Sequence, residues 1–270
     1  MTGDNPPSGV ITANTATRLP PEAEGAVVIC GSHGGRYPGY LAARAAVRAI
    51  VLCDAGIGKD EAGVGGLAYL EDLGIAAAAV SSASCRIGDT GDMLARGRIS
   101  RVNTVAAGLG AAAGQSCREA SEALTAAPLR QVTPPPIGES RQVIEGKARR
   151  IVMIDSAADV RPEDAGQIVV TGSHGGLVGG EPAKALQVDG FAGVFNDAGI
   201  GMEEAGLGRL PALDQRGIAA FTVAAESARI GEARSSYEDG LVSAVNKHAE
   251  DLGARPGMTA RAILDTWARE

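Results

Sequence analysis

Aromatic residues, histidines and basic charge are all scarce in this sequence, and each shortage narrows the class of protein. Only 3% of the residues are aromatic, whereas 45% are hydrophobic and 38 residues are glycine. Small apolar side chains of this kind suit close packing of helices on a sheet, which needs little aromatic filling. The formal net charge is −7 and there is no basic cluster, so nucleic acid and anionic membrane surfaces are disfavoured as partners.

Long apolar runs and metal-type cysteine pairs are also missing. The longest apolar stretches, such as GIAAAAV, are too short to cross a bilayer, and no apolar signal segment follows the polar start MTGDNPPSG. We therefore expect a cytoplasmic protein without a membrane partner. Cys30, Cys53, Cys85 and Cys117 lack CxxC spacing. Small core residues are the simpler interpretation, and a reactive thiol or a cluster ligand is the alternative.

The chain repeats itself over most of its length. GSHGG occurs at 31–35 and again at 172–176, and DAGIG occurs at 54–58 and again at 197–201. Further words follow in the same order, since DEAGVGGL faces EEAGLGRL and SCRIGD faces SARIGE, with roughly half of the aligned positions identical. This pattern predicts an internal tandem duplication of two α/β units, related by a pseudo-twofold axis as two chains of a homodimer would be.

The duplication divides the chain into four predicted segments. They are a disordered N-terminus over 1–8, a first repeat over 9–128, a proline-rich linker over 129–149 and a second repeat over 150–270. The linker contains three consecutive prolines, and a short strand or arm of its own is the alternative there. We also expect the chain to form a homo-oligomer.

Each repeat reads as strands that alternate with helices. In the first repeat, short apolar runs suit buried strands at 9–16, 25–31, 49–54 and 75–82. Longer periodic runs suit helices at 40–49, 61–73 and 92–109. Such alternation implies βαβ units and a mainly parallel sheet, so the predicted fold class is α/β with Rossmann-like units.

The repeated words fall where a binding site is expected. GSHGG follows the first central strand of each repeat, DAGIG the second and S-x-R-I-G the third, so all three should lie at carboxyl ends of adjacent strands, where open α/β sheets bind ligands. Their spacing matches neither a dinucleotide fingerprint nor a P-loop. Glycines after a strand can adopt positive φ and bring N–H groups near an anion, and we assign this role to Gly34, Gly35, Gly175 and Gly176. Tight turns kept for folding alone are the alternative.

Histidine is rare enough for its position to be informative. Two of the three histidines, His33 and His174, occupy the same place in the two GSHGG words. We predict that they act as general acid or base, either in one shared cleft or in two separate pockets, and the alternative is a histidine that caps a strand end. Asp54 and Asp197 begin the DAGIG turns and are predicted to orient a histidine or bind a substrate hydroxyl. An Asx-turn or a helix cap is the alternative for these aspartates.

Further paired polar residues complete the predicted site. The catalytic set also contains Ser32 and Ser173, with Lys59, whose place in the second repeat is taken by Met202. The predicted substrate-binding side chains are two arginines suited to a carboxylate, two serines near them and two glutamates, namely Arg86, Arg229, Ser84, Ser227, Glu61 and Glu204. Internal salt bridges are the alternative for the arginines, and a helix dipole that stabilises the carboxylate is the alternative for the glutamates. If the repeats hold separate pockets, we expect catalysis in the first, where Lys59, Tyr37 and Tyr40 add chemistry.

These residues predict a small-molecule enzyme whose substrate is an anionic, carboxylated or carbonyl-containing metabolite. Hydrolytic opening of an amide, imide or lactone is the leading hypothesis, since it needs only an activated water or serine, a base and an oxyanion site. The alternatives are a proton-transfer isomerase or lyase and a non-catalytic protein that binds carboxylate or phosphate. No cofactor is expected and no metal site is assigned. A divalent metal held by His33, His174, Asp54 and Asp197 is the alternative.

Overall fold

The computed structural model of the protein describes residues 5–138 and 140–270. Residues 1–4 of the predicted disordered N-terminus and Glu139 of the predicted linker lie outside the described residues. The chain forms two compact units. Unit 1 contains the chain up to Ile57, Glu61–Ile137 and Gly201–Glu203, and unit 2 contains Gly58–Asp60, Gly138–Ile200 and Glu204–Glu270. Each unit therefore includes a three-residue segment from the other half of the sequence.

Unit 1 is built on a five-stranded sheet in the order β1-β2-β3-β4-β5. Its strands are β1 (Val10–Ala13), β2 (Val27–His33), β3 (Ala49–Cys53), β4 (Ala76–Val80) and β5 (Ile99–Val102). The first four are parallel, and β5 runs antiparallel to β4. The four strands predicted for the first repeat are confirmed, and the sheet is mixed because of its antiparallel edge.

Helices cover both faces of this sheet. They are α1 (Arg36–Arg44), α2 (Gly65–Asp72), α3 (Thr90–Arg96), α4 (Thr104–Ala107) and α5 (Cys117–Leu124). Alternate strand residues face opposite layers, so Val27 and Ile29 pack with α3 and α5, whereas Val28 and Cys30 pack with α1 and α2. Burial on both faces explains why these strands are nearly continuous apolar runs.

The helix predicted over 92–109 is wrong. The structure has α3, β5 and α4 within this range. Gly97 is the C-cap of α3, where a Cβ would collide with the Met93 carbonyl oxygen, and Asn103 caps α4 by accepting a hydrogen bond from the Ala106 N–H. The segment between them pairs with β4, so sheet formation overrides the helical periodicity of the sequence.

Unit 2 is built on a six-stranded sheet in the order β11-β10-β9-β8-β7-β6. Its strands are β6 (Arg141–Ile144), β7 (Ile151–Ile154), β8 (Ile168–His174), β9 (Ala192–Asn196), β10 (Ala219–Val223) and β11 (Val242–Val245). The four central strands are parallel, and both edge strands are antiparallel to their neighbours. β6 lies inside the predicted linker, which therefore supplies a strand of its own, as the alternative prediction had it.

The helices of unit 2 bury its two largest fully enclosed side chains, Phe195 and Phe221, on opposite faces of the sheet. These helices are α6 (Arg209–Asp214), α7 (Ala233–Glu238), α8 (Lys247–Asp251) and α9 (Ala260–Trp267). Phe221 packs against Trp267 with ring centroids 5.9 Å apart, and Phe195 belongs to the opposite cluster with Leu210 and Leu213. Each fully buried phenylalanine contributes about 1.5–3 kcal/mol of transfer free energy.

The α/β fold class is confirmed, with two mixed sheets that each contain parallel strand–helix units. Among the described residues, no helix is both long enough and apolar enough to cross a membrane. The duplication, the pseudo-twofold axis and the segment boundaries stay predictions.

Candidate functional site

The repeated words lie at one edge of the sheet in each unit. In unit 1, GSHGG forms the carboxyl end of β2, and the other two words follow β3 and β4; these three strands are adjacent and parallel. Backbone bonds join these ends, since the Gly34 N–H donates to the Cys53 carbonyl at 2.7 Å and the Asp54 N–H to the Val80 carbonyl at 2.8 Å. The strand order follows the chain without reversal, so this edge is not a topological switch point and its side chains must carry the argument.

His33 ends β2 as a buried, neutral imidazole. Its side chain is 9% exposed, and Nδ1 accepts a hydrogen bond from the Gly35 N–H at 3.2 Å. Because Nδ1 accepts, the proton of the neutral ring is on Nε2, which has no hydrogen-bond partner among the described residues. Burial lowers the pKa of His33 from 6.5 to about 4. The ring is therefore neutral at pH 7 and can donate from Nε2.

The two aspartates form the Asx-turns that were the alternative prediction. Asp54 is 4% exposed, and its Oδ1 accepts from the N–H groups of Gly56 at 3.1 Å and Ser82 at 2.8 Å. Oδ1 of Asp197 accepts two equivalent backbone N–H groups in unit 2, at 2.9 and 3.0 Å. Burial is the largest influence on Asp197 and raises the pKa of its carboxyl. Each aspartate therefore ties its own strand end to the next one.

The DAGIG loops have a strained backbone. Ala55, Gly56, Ile57 and Gly58 all have positive φ, at 49°, 74°, 64° and 68°. The four corresponding residues at 198–201 have φ of 52°, 72°, 62° and 73°. A β-branched residue rarely adopts this conformation, and each non-glycine residue in it costs about 1–2 kcal/mol. Strain of this kind persists only where the surrounding structure fixes it.

The GSHGG glycines act through close packing, and the predicted positive φ does not occur. Gly34, Gly35, Gly175 and Gly176 all lie outside the left-handed region. A Cβ on Gly34 would lie 2.7 Å from the Gly63 carbonyl oxygen, and one on Gly35 would lie 2.7 Å from His33 Nδ1. In unit 1 these glycines therefore let the loop before α2 approach β2 and leave room for the imidazole.

The serines of GSHGG hold backbone in place. Ser32 Oγ accepts from the Ala16 N–H, and Ser173 Oγ accepts from the Ala157 N–H, both at 2.9 Å. Among the described residues, Ser32 makes no hydrogen bond to His33. A serine nucleophile needs its base within hydrogen-bond reach. The geometry of unit 1 therefore favours a structural role for Ser32 over the predicted catalytic one.

Both predicted substrate arginines are engaged by carboxylates. In unit 1, Arg86 pairs with Glu203 at 2.7 Å and with Asp89 at 3.0 Å. In unit 2, Arg229 pairs with Asp60 at 2.6 Å. The hydrogen bonds from Arg96 and Arg86 lower the pKa of Glu203 to about 2. Internal salt bridges, the alternative prediction for the arginines, are what the structure contains.

Lys59 and the serines of the third word also serve local structure. Lys59 belongs to unit 2, where it pairs with Asp239 at 3.0 Å, so it does not add chemistry to unit 1. Ser84 Oγ accepts from the Arg98 N–H at 2.8 Å, and Ser227 Oγ accepts from a backbone N–H of unit 2 at 2.9 Å. These hydroxyls join the turn after the third strand to the start of the antiparallel strand.

The predicted glutamates lie outside the helices that follow them. Glu61 and Glu204 are exposed, with φ of 55° and 56°. α2 begins at Gly65 and α6 begins at Arg209. Neither carboxylate therefore occupies the first turn of its helix, and the expected dipole stabilisation does not apply.

The four cysteines are free thiols in the core. Burial raises the pKa of Cys30 to about 11 and that of Cys117 to about 12. A thiol with so high a pKa is protonated at pH 7 and is a poor nucleophile. The structure therefore favours the simpler interpretation, in which the cysteines are small core residues.

Arg209 is the buried cation that sequence reasoning missed. It is 4% exposed, its Nε donates to the carbonyls of His174 at 3.0 Å and Gly176 at 3.1 Å, and its guanidinium lies 4.9 Å from the centroid of the Phe195 ring. Burial lowers the pKa of Arg209 to about 10. The aligned residue in the first half is Gly66, so the available signal was the one glycine-to-arginine difference between DEAGVGGL and EEAGLGRL.

Other features of the molecule do not add to this site. A depression of about 440 Å³, lined in part by Val10, Glu24 and Arg48, lies at the opposite, amino edge of the unit 1 sheet. Within 5–138 and 140–270, no three side chains of His, Cys, Asp or Glu are grouped as metal ligands. No protein-family model, curated protein or solved structure compared with the chain matches it.

Proposed function

We propose that the protein is an enzyme that acts on a small carbonyl-containing metabolite at the carboxyl edge of β2 and β3 in unit 1. The observation that carries this proposal is the neutral His33 imidazole, whose Nε2 proton has no partner among the described residues, next to the strand end that bears Asp54. The cytoplasmic location and the homo-oligomeric state inferred from the sequence belong to the same proposal.

His33 supplies a proton donor that is ready at neutral pH. A preorganised N–H aimed at a carbonyl oxygen stabilises the negative charge that develops there during the reaction. The Gly35 N–H fixes the tautomer that places the proton on Nε2. The pKa of about 4 keeps the ring in this form across the physiological range.

Asp54 supplies a proton acceptor from the neighbouring strand. His33 is the register partner of Cys53, the residue before Asp54, and neighbouring strands lie roughly 5 Å apart. Two backbone N–H groups hold Oδ1 of Asp54, whereas Oδ2 has no hydrogen-bond partner in the described part of the chain. A carboxylate anchored through one oxygen can remove a proton from the substrate with the other.

A proton donor and a proton acceptor on adjacent strand ends favour proton transfer next to a carbonyl, as in an isomerase or a lyase. Hydrolytic opening of an amide, imide or lactone is the second candidate, because the same Nε2–H would stabilise a tetrahedral oxyanion. Water would be the nucleophile in that case, since Ser32 Oγ is engaged by the Ala16 N–H and makes no bond to His33 among the described residues.

Solvent isotopes separate these two reactions. The purified chain is incubated with small oxo acids, lactones and imides in D₂O and in H₂¹⁸O. Proton transfer introduces deuterium at the carbon beside the carbonyl, whereas hydrolysis introduces ¹⁸O into the new carboxylate. Tight binding of a carboxylate or phosphate without incorporation of either label would favour the third hypothesis, a non-catalytic anion-binding protein.

Single substitutions then assign the roles. His33→Ala should lower kcat by about 10²-fold or more, the usual contribution of a positioned acid or base. Asp54→Asn keeps an acceptor for the Asx-turn and loses the basic oxygen, so it should also lower kcat. Ser32→Ala is the matched control and should keep turnover. Full activity in a folded His33→Ala variant would remove the imidazole from the mechanism.

A further inference from the structure

Arg209 is a buried cation that no carboxylate neutralises within the described part of unit 2. Its hydrogen-bond partners among the described residues are all backbone carbonyls, because Nε donates to His174 and Gly176 and Nη1 donates to Lys184 and Ala185. Nη2 has no hydrogen-bond partner among the described residues and is not fully buried, so it retains some contact with solvent. One nitrogen of an otherwise enclosed guanidinium is therefore accessible.

A buried charge is costly unless an opposite charge accompanies it. Two other partly buried arginines of unit 2 do have such a partner. Arg216 donates to the carbonyls of Leu186 and Val188 and pairs with Asp189 at 2.8 Å. Arg141 pairs with the fully buried Asp164. Arg209 differs, since burial lowers its pKa and no acidic side chain within 5–138 and 140–270 forms an ion pair with it.

We propose that Arg209 binds a small oxyanion, a carboxylate or a phosphate, through Nη2, and that this anion supplies the missing negative charge. The guanidinium presents a planar set of donors that matches such groups. Four carbonyls and the Phe195 ring already fix its position, so little conformational freedom is lost on binding. The site lies in unit 2 and does not depend on the reaction proposed for His33 in unit 1.

The direct test follows the arginine N–H resonances of the full ¹⁵N-labelled chain. The Arg209 Nε–H signal should exchange slowly, because it donates to two buried carbonyls, and its absence from Arg209→Lys identifies it. Sodium phosphate and sodium acetate are titrated separately at constant ionic strength. We expect a saturable shift of this signal, and the anion with the lower Kd distinguishes a phosphate site from a carboxylate site.

Variants show whether the charge alone or the guanidinium is required. Arg209→Lys keeps the positive charge and loses the planar set of guanidinium donors. It should weaken anion binding by at least about tenfold. Arg216→Lys is the matched control, because Arg216 holds carbonyls of the same segment and already has Asp189. This control should leave the affinity unchanged to within about twofold.

Three results would overturn the proposal. One is the lack of a saturable shift with either anion in the wild-type chain. Another is equal affinity in wild type and in folded Arg209→Lys, and the third is an equal loss of affinity in Arg216→Lys. If Arg209→Lys does not fold, the titration of the wild-type chain alone tests the proposal. The Arg209 Nε–H signal is then assigned by through-bond NMR correlations.

Discussion

Unit 1 and unit 2 share a backbone hydrogen bond beside GSHGG and differ in what fills the space next to it. The Gly66 N–H donates to the Gly34 carbonyl in unit 1, and the Arg209 N–H donates to the Gly175 carbonyl in unit 2, both at 2.7 Å. In unit 1, α1 follows the loop. In unit 2, the 3-10 turns Val178–Gly180 and Pro182–Lys184 follow it, and the Arg209 side chain binds their carbonyl end. The repeated words therefore form the same backbone hydrogen bond in both units. The change from Gly66 to Arg209 adds a buried positive charge in unit 2.

The ends of the central strands show the same contrast. In unit 1 the neighbouring Cys85 thiol, together with burial, raises the pKa of Cys53 well above the usual range. The aligned residues of unit 2 are Asn196 and Ala228, and there the Asn196 amide donates to the Ala228 carbonyl at 3.0 Å. The aligned strand ends therefore carry buried thiols in unit 1 and an amide-to-carbonyl hydrogen bond in unit 2.

Replacing Gly66 by arginine, the residue aligned with it in unit 2, should give the largest change in the free energy of unfolding. Gly66→Arg copies unit 2 into unit 1, but a Cβ at Gly66 would collide with the Gly35 carbonyl oxygen, and α1 already occupies the adjacent space. We expect a loss of about 3 kcal/mol in the free energy of unfolding, measured with urea. Gly65→Ala is the control, since its nearest neighbour would be 3.8 Å away, and it should be neutral or slightly stabilising. Wild-type stability in Gly66→Arg would contradict this account of the difference.

The left-handed loops should respond alike in both halves. Gly58→Ala and Gly201→Ala place a Cβ at φ of 68° and 73°, at 2.7 Å from the Ala225 carbonyl oxygen and 3.0 Å from that of Ser82. Each should cost about 1–2 kcal/mol of unfolding free energy from the conformation alone, and somewhat more from the contact.

A third glycine isolates the contribution of the contact in these loops. Gly25 has φ of 70° and no atom within 4 Å of its added Cβ, so Gly25→Ala measures the conformational cost alone. Equal losses at Gly25 and Gly58 would show that close packing of the loop contributes nothing.

Acid should give the smallest effect, through the exposed ion pairs of Glu203. The pKa of Glu203 is about 2 in the folded chain and 4.5 ordinarily, so its pairs with Arg86 and Arg96 stabilise the fold above pH 4.5. That stability is lost as the pH falls from 4.5 toward 2. Glu203→Gln should flatten this part of the curve of stability against pH. Glu122→Gln is the control, because Glu122 has no ion pair among the described residues. Equal curves of stability against pH for Glu203→Gln and Glu122→Gln would contradict the expectation.

Short sequence patterns predicted those parts of the structure that depend mainly on neighbouring residues, such as the positions of the strands. Apolar runs located the strands, and their order placed His33 and Asp54 at neighbouring strand ends. The range 92–109 was misread because pairing with β4, a distant segment, decides the conformation of β5. Gly97 and Asn103, which end α3 and begin α4, were nevertheless visible in the sequence as signs that the helix is interrupted.

Ion pairs between residues far apart in sequence are what sequence reasoning did not anticipate for the predicted arginines. Arg86 meets Glu203 across 117 residues of sequence, and spacing within a motif cannot reveal such a partner. The repeated arginines therefore resembled substrate ligands, whereas the unrepeated Arg209 was overlooked. Ile57 at positive φ was equally hidden, because its side chain favours extended backbone and only the folded loop enforces the strain.

The protonation state of His33 is the central claim for unit 1, and ¹⁵N NMR of the labelled imidazole measures it without a substrate. We predict that Nε2 is protonated and Nδ1 is not from about pH 8 to about pH 5, with a titration midpoint at about 4. Because this folded pKa lies below the ordinary 6.5, the fold should also lose stability as the pH falls from 6.5 toward 4. A midpoint near 6.5, or a proton on Nδ1 in the neutral ring, would contradict the account.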